Sequence, residues 1–576
     1  MTLRSPLRTI ALAALLGVAT ACRDLPAPRD ASAAIDRDLL DVTVAQLHRL
    51  YDERRYTVTQ VVQWHLARID RYNGVYGALE TVYRKEALAE SARLDAEPAR
   101  TGSARAPLWG VPIVIKANTS LKGHVTTAGW DGFTRAGHEL VAPQDATIVA
   151  KLKAAGAIIV GSGNMPDLAN SDTNRSSSFG RTGNAYDVRF SPGGSSGGVV
   201  TAVAANMAVL GNGTDTGNSI RMPAATSALV GVFPTRGLVS IAGIAPLDWL
   251  LDNTGPIART ASDAAVALAV MAGEDSLDTW TLGAPPQAQR PPYGPFLTGD
   301  ALKGKRFGVP AFVLAGEGVP FHGIPAGVPE GQADKLRAAA AVPLHAETRA
   351  RFMQAVDALR AAGAEVVVAD DILPATFAKL ASRVSTYAYM QDGTDRFLAT
   401  FGPAQYHSAA EYRSAVGAPL FTSSIGSEDH FRNIGGVRLE QRSFDTDPDV
   451  ERNYHAPRRA MLAAYLETMD RLRLDGFVYP AIQMPPPDET MPQDGRVSEG
   501  PHSATSWVNM IGVPAIVVPA GYYANGLPFG LELSARPWKD GELLGIAYAW
   551  ELATRLRKSP TLVERGLIAT TPAREP

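Results

Sequence analysis

The chain of 576 residues sets 55 Lys and Arg against 58 Asp and Glu, a formal net charge of −3, with 45% hydrophobic residues and a single cysteine. This near-neutral balance has no long charge run, which excludes a strongly basic nucleic-acid binder, and one cysteine excludes both an internal disulfide and a disulfide framework. The length suits a large globular enzyme.

In chain order, Met1 to Arg8 is basic and Thr9 to Ala21 is apolar, the layout of an export signal and too short to span a bilayer as a helix. Ala19-Thr20-Ala21-Cys22 reads either as a signal-peptidase site or as an imperfect bacterial lipobox whose Cys22 takes a lipid. The lipoprotein reading is favoured, with alanine three residues before the cysteine leaving simple secretion as the alternative. The expectation is export signal 1–21, flexible tether 22–38 and a protein outside a bacterial cytoplasm, periplasmic or membrane-anchored, with secretion as the alternative. Val42 to Tyr51 and Val58 to Tyr72 show apolar residues at helical spacing, with Thr57 or Thr59 available to cap the second.

Gly110-Val111-Pro112-Ile113-Val114-Ile115-Lys116 reads as a buried strand closed by a lysine. Two glycine-rich serine loops follow: Ser191-Pro192-Gly193-Gly194-Ser195-Ser196-Gly197-Gly198, then Gly213-Thr214-Asp215-Thr216-Gly217-Asn218-Ser219-Ile220-Arg221. Between them, Gly198 to Met207 suits a buried helix roughly 15 Å long at about 1.5 Å per residue, and Ala208 to Asn212 a short strand running back beside it. The second loop therefore returns to the first at a helix N-terminus, where backbone N–H groups favour developing negative charge. A linker reading fails, because linkers do not run straight into apolar helix and strand patterns. Two hydroxyls, one buried amine and a row of backbone donors are the parts needed for nucleophilic attack on a carbonyl.

These motifs resemble the amidase signature family, serine hydrolases with a Ser-Ser-Lys triad. The resemblance rests on Gly193 to Ala224, on Pro107 to Ile113, on Gly231-Val232-Phe233-Pro234-Thr235-Arg236-Gly237 and Thr254 to Thr260, and on Asn509 to Ala515 and Gly526 to Leu531. It covers roughly residues 40 to 565. It implies Ser219 as nucleophile, Ser195 as bridging serine and Lys116 as base, with the backbone N–H groups of Thr216, Gly217, Asn218 and Ser219 as oxyanion hole. Asp215 and Arg221 are expected as structural support. A lysine acting as base must be neutral, and the apolar run Val111 to Ile115 supplies the desolvation that lowers its pKa.

Two positions depart from the family pattern. Asn218 stands where glycine usually precedes the nucleophile, tolerable if that position needs a positive φ. Ala117 stands where an aspartate commonly follows the lysine. Both are expected to alter substrate fit and leave activity in place. Gly194-Ser195-Ser196-Gly197-Gly198 also satisfies Gly-x-Ser-x-Gly, but no strong strand precedes it, so Ser196 is not read as a nucleophile elbow.

The histidines show no metal-ligand spacing and no His-Glu-x-x-His, so neither metal nor cofactor is expected. The resemblance implies an α/β fold, one large α/β/α catalytic domain over 39–570 with a central mixed β-sheet flanked by helices. Residues 285–342, rich in proline and glycine, are expected to be an insertion, a wall of the substrate funnel or a plain surface loop. The implied activity is hydrolysis of a small-molecule amide, with Met165, Asp167, Trp249 and the segment from Asp392 to Phe431 as pocket candidates. An esterase or carbamate hydrolase, an amidotransferase A-type subunit and a non-catalytic binding protein are the alternatives. No nucleic-acid partner is expected, membrane attachment would run through Cys22, and the oligomeric state is not readable.

Overall fold

The computed structural model describes residues 29–97, 102, 105–285, 292–417, 433–489 and 500–563. The export signal, Cys22 and the first part of the tether lie outside the described residues. Two compact units emerge, Met1–Leu40 and Asp41–Pro576. In the first, Arg29–Leu39 is a helix, which corrects the expectation of a flexible tether over that stretch. Its sequence carries three alanines and no glycine or proline after Pro28, a composition with good helix propensity. Among the described residues no helix is long and apolar enough to cross a membrane.

Among the described residues the second unit has thirteen strands: β1 Leu79–Val82, β2 Pro112–Lys116, β3 Ile158–Gly163, β4 Arg175–Ser176, β5 Gly180–Arg181, β6 Leu210–Asp215, β7 Val230–Phe233, β8 Asn253–Ala258, β9 Arg306–Val309, β10 Glu365–Val368, β11 Gly476–Pro480, β12 Ala515–Tyr522 and β13 Pro528–Ala535. Eleven form one mixed sheet in the order β1-β3-β2-β6-β8-β7-β12-β13-β11-β9-β10, while β4 and β5 pair separately. Helices pack against the sheet, among them Ala261–Met271 on β8 and Asp540–Thr554 on β12. The fold is therefore a large α/β domain with a mixed central sheet flanked by helices.

The two distant halves meet at β7 and β12, where Ala515 pairs with Phe233 and Val517 with Gly231. Strands at the centre are buried on both faces, which is why β2 and β12 read as continuous apolar runs and do not alternate. The leading helices run Val44–Asp52 and Val58–Tyr76, each opened by a capping box, Thr43 with Gln46 and Thr57 with Gln60. Within 285–342 the insertion reading needs correction, because Arg306–Val309 is strand β9 of the main sheet, parallel to both β10 and β11. Gly304 and Pro310 bracket a strand so short that the surrounding proline and glycine obscured it.

Candidate active site

Strands β2 and β6 run parallel and adjacent, with Ile113 beside Leu210 and Val114 beside Gly211. Lys116 ends β2 fully buried. Its Nζ donates to Ser195 Oγ at 2.7 Å, to Thr214 Oγ1 at 2.8 Å and to the Thr214 carbonyl at 3.2 Å. Burial draws the ammonium down from 10.5 to about 7, against an opposing pull from Asp215 and Asp252 that favours the charged form. The amine is thus poised to exchange protons near neutral pH with a hydroxyl in direct contact.

Ser195 and Ser196 immediately precede the buried helix Gly197–Ala204, and the Gly194–Ser195 peptide bond is cis. The second serine loop returns as its spacing predicts: the Ser196 backbone N–H donates to the Ser219 carbonyl at 3.2 Å. Ser196 Oγ donates to the Thr214 carbonyl at 3.3 Å, so its side chain is engaged with β6. Ser219 is 6% exposed, the most accessible of the three triad candidates. Its Oγ makes a long contact of 3.5 Å to Asn218 Oδ1. Lys116 and Ser195 are thus joined by a hydrogen bond, whereas Ser219 is tied to this serine loop through its backbone carbonyl. Among the described residues, the backbone N–H groups of Thr216, Gly217, Asn218 and Ser219 have no protein acceptor, which leaves a row of donors at the nucleophile candidate.

Asp215 and Arg221 form a fully buried pair that shapes this loop. Arg221 Nε donates to Asp215 Oδ2 at 3.0 Å, one terminal nitrogen to Glu532 Oε1 at 2.6 Å, and the other to the Gly217 carbonyl at 2.8 Å. Asp215 Oδ2 also accepts the Ile220 N–H at 2.9 Å, and Asn509 Nδ2 reaches Asp215 Oδ1 at 2.9 Å. Burial raises the Asp215 carboxyl, but Arg221 and these donors outweigh it and hold it below the usual range. Glu532, with fewer donors, is pushed by burial up to about 7.

Asn218 is not among the residues with positive φ, so the conformational explanation for asparagine at this position does not apply. Its side chain acts instead: Nδ2 donates to Asp172 Oδ1 at 3.0 Å and to Ser503 Oγ at 2.9 Å. Three loops distant in sequence are thereby tied together beside Ser219. Ala117 joins a buried apolar cluster with Met165, Ala169, Leu247 and Met390.

Of the pocket candidates, Met165 lies in that cluster. Asp167 accepts the Ser177 N–H at 2.7 Å, a loop-holding role. Trp249 lines a cleft of about 210 Å³ with Trp280, Arg396, Phe397 and Phe401. Part of the segment from Asp392 to Phe431 lies outside the described residues. Sequence reasoning missed Thr214, the second partner of Lys116, and Asn212, whose Oδ1 accepts the Lys116 N–H at 3.3 Å. Their signal was present, since Asn212 and Thr214 are two apart on a strand and so share one face of the sheet beside β2. It also missed Asp252, which accepts from Thr216 Oγ1 at 2.5 Å and is pushed by burial up to about 6. His322, one of the ten histidines in which no metal-ligand spacing was read, contacts the buried Asp248 at 2.8 Å.

A family model described as Amidase matches residues 60–318 and 336–544. The glutamyl-tRNA(Gln) amidotransferase A-type subunit of Symbiobacterium thermophilum is 31% identical over 540 residues, covering 91% of this chain and 99% of that one. The crystal structure of peptide amidase from Stenotrophomonas maltophilia superposes with a TM-score of 0.70 at 28% identity, covering 90% of this chain and 98% of that one. A peptide amidase in complex with the competitive inhibitor chymostatin gives 0.71 at 29% identity, covering 90% and 99%. With a family match across most of its length and the motifs of that family folded into one site, the chain belongs to the amidase family, enzymes that act on amide carbon–nitrogen bonds.

Proposed function

We propose that the protein hydrolyses a carboxylic acid amide to acid and amine or ammonia through an acyl-enzyme on Ser219, with Lys116 as base and Ser195 as proton relay. The observation that carries this reading is Lys116 Nζ, buried and near its neutral point, 2.7 Å from Ser195 Oγ. Neutral Lys116 takes the Ser195 proton as Ser195 Oγ takes that of Ser219, and Ser219 Oγ bonds to the carbonyl carbon. Ser219 Oγ must first turn from Asn218 Oδ1 towards Ser195. The oxyanion is met by the N–H groups of Thr216 to Ser219, each such donor contributing about 3 kcal/mol in comparable sites. The proton then returns through Ser195 to the amine nitrogen, the carbon–nitrogen bond breaks, and water adds to the acyl carbon to release the acid and restore Ser219. Asp215 and Arg221 hold the loop and take no part in the chemistry.

Labelling of the purified protein with a fluorophosphonate probe and mapping of the modified peptide tests this. Modification at Ser219, lost in Ser219→Ala and strongly slowed in Lys116→Ala, is the expected result. Modification at Ser196, or none in folded protein, refutes the assignment.

The curated relatives favour a second reading, an ammonia-releasing component resembling the A-type subunit of glutamyl-tRNA(Gln) amidotransferase. Assay of glutamine beside simple carboxamides and peptide amides separates the two: hydrolysis of simple amides by the isolated chain supports the hydrolase, and glutamine-restricted turnover supports the amidotransferase component. The basic and apolar run before Cys22 supports export from a bacterial cytoplasm. A mass measurement of the mature N-terminus tests it, a diacylglyceryl Cys22 marking a lipoprotein and a free Cys22 amine a secreted form.

A further inference from the structure

We infer that Phe321 is a specificity-determining residue of the Ser219 site, held in place by a clamp of His322, Asp248 and Thr386, and that it selects amides whose acyl group is apolar, an aryl or branched alkyl group. The inference rests on the hydrolase reading and deepens it. Phe321 belongs to residues 319–335, which fall between the two stretches matched by the family model. Its ring lies against Gly217, two residues before the nucleophile: a methyl group added at Gly217 would stand 2.3 Å from Phe321 Cε2. Behind the ring lie Ala117, Met165, Leu247 and Met390, all buried, with Phe321 and Tyr387 only partly covered. Because Ala117 directly follows Lys116, one apolar surface runs from the base to the oxyanion loop.

The clamp sets where this wall stands. His322 Nδ1 lies 2.8 Å from Asp248 Oδ2, Thr386 Oγ1 donates to the same oxygen, and the Thr386 N–H donates to the His322 carbonyl at 3.1 Å. The imidazole packs edge-on against Phe321 at 4.3 Å and beside Tyr387 at 4.9 Å. Asp248 is itself fixed to the nucleophile loop: Asp252 accepts the Asp248 N–H at 3.3 Å with one oxygen and the Thr216 hydroxyl at 2.5 Å with the other. An apolar acyl group placed against this wall leaves water for matching apolar surface. A charged acyl group, such as that of an α-amino acid, would lose hydration against residues that offer it no counter-charge.

The test uses the full chain and a matched series of anilides, acetyl, isovaleryl, benzoyl and phenylacetyl, read as ratios of kcat/KM. The labelling rate of Ser219 with a small fluorophosphonate is followed in parallel, since it reports the catalytic groups independently of any acyl wall. The wild type is expected to prefer phenylacetyl over acetyl. Phe321→Ala is expected to reduce that ratio about tenfold or more, and Phe321→Leu to reduce it less. His322→Ala, which removes a positioning residue, is expected to move the ratio the same way, while His322→Asn, which keeps a donor for Asp248, retains it. A wild type that prefers acetyl, or a ratio unmoved in Phe321→Ala, overturns the inference. If Phe321→Ala does not fold, the Phe321→Leu and His322 ratios decide in the same terms. Absence of Ser219 labelling in the wild type overturns the hydrolase reading itself and the inference with it.

Discussion

The strongest prediction concerns the pH at which the site becomes active. Lysine titrates near 10.5 and burial brings Lys116 to about 7, a change worth roughly 5 kcal/mol between ammonium and amine. An unperturbed lysine would be neutral in only about three molecules in ten thousand at pH 7, whereas Lys116 is neutral in about half at pH 7, a tenth at pH 6 and nine-tenths at pH 8. Because attack needs the neutral amine, the second-order rate of fluorophosphonate labelling should rise about tenfold per unit below pH 7 and level off above it. Tryptophan fluorescence across the same range confirms that the fold persists. Asp252 and Asp215 both pull the amine towards its charged form, so Asp252→Asn should move the midpoint lower. A flat profile from pH 6 to 9, or a midpoint above 9, refutes the reasoning. The same shift enters stability with a definite sign. The folded pKa is depressed, so between about 7 and 10.5 the unfolded chain binds the extra proton, and this residue's contribution improves as pH rises through that window.

Three further outcomes are expected. Arg221→Met leaves Asp215 and Glu532 buried without their cation and should destabilise the protein by about 3–5 kcal/mol, read as a lower thermal midpoint and a poor soluble yield, whereas unchanged melting contradicts the network. Asn218→Gly releases Asp172 and Ser503 from the Ser219 loop and should open space beside Ser219, raising the labelling rate of bulky over small fluorophosphonates; an unchanged ratio counts against the tie. Gly217→Ala drives a methyl into Phe321 and should lower kcat/KM, with part of the loss recovered in the double variant carrying Phe321→Ala. A coupling of about 1 kcal/mol or more in that cycle supports the contact, and simple additivity removes it.

How much of this was legible in the sequence follows from how local each feature is. The capping Thr57, the apolar run of β2 and the turn-back between the serine loops are decided by neighbours within a few residues, so local pattern exposes them. Strand β9 was hidden because its four residues, Arg306–Val309, carry too little pattern to outweigh the breakers Gly304 and Pro310 around them. The tether expectation over Arg29–Leu39 failed for the opposite reason, alanine-rich helix propensity being read as linker polarity.

The residues that tune the site were hidden for a deeper reason, since their meaning arises only when the sheet order is known. Thr214 touches Lys116 because β6 lies beside β2, and Asn218 finds Asp172 and Ser503 because three loops gather at one end of the domain. The contrast sorts the site by chemistry. Nucleophile, relay and base demand particular residues in a fixed local arrangement, so their pattern is readable along the chain. The wall that meets the substrate demands only apolar surface at the right place, which many segments can supply. In this chain Phe321, the part of that wall against Gly217, is supplied from residues 319–335, outside the stretches matched by the family model. That division lets chemistry stay constant while selectivity changes, and it predicts that exchange of this segment between relatives should carry acyl preference with it while the labelling profile against pH stays where Lys116 sets it. Movement of that profile on exchange would mean that the wall and the base are a single electrostatic unit, against the separation argued from Phe321 and Lys116.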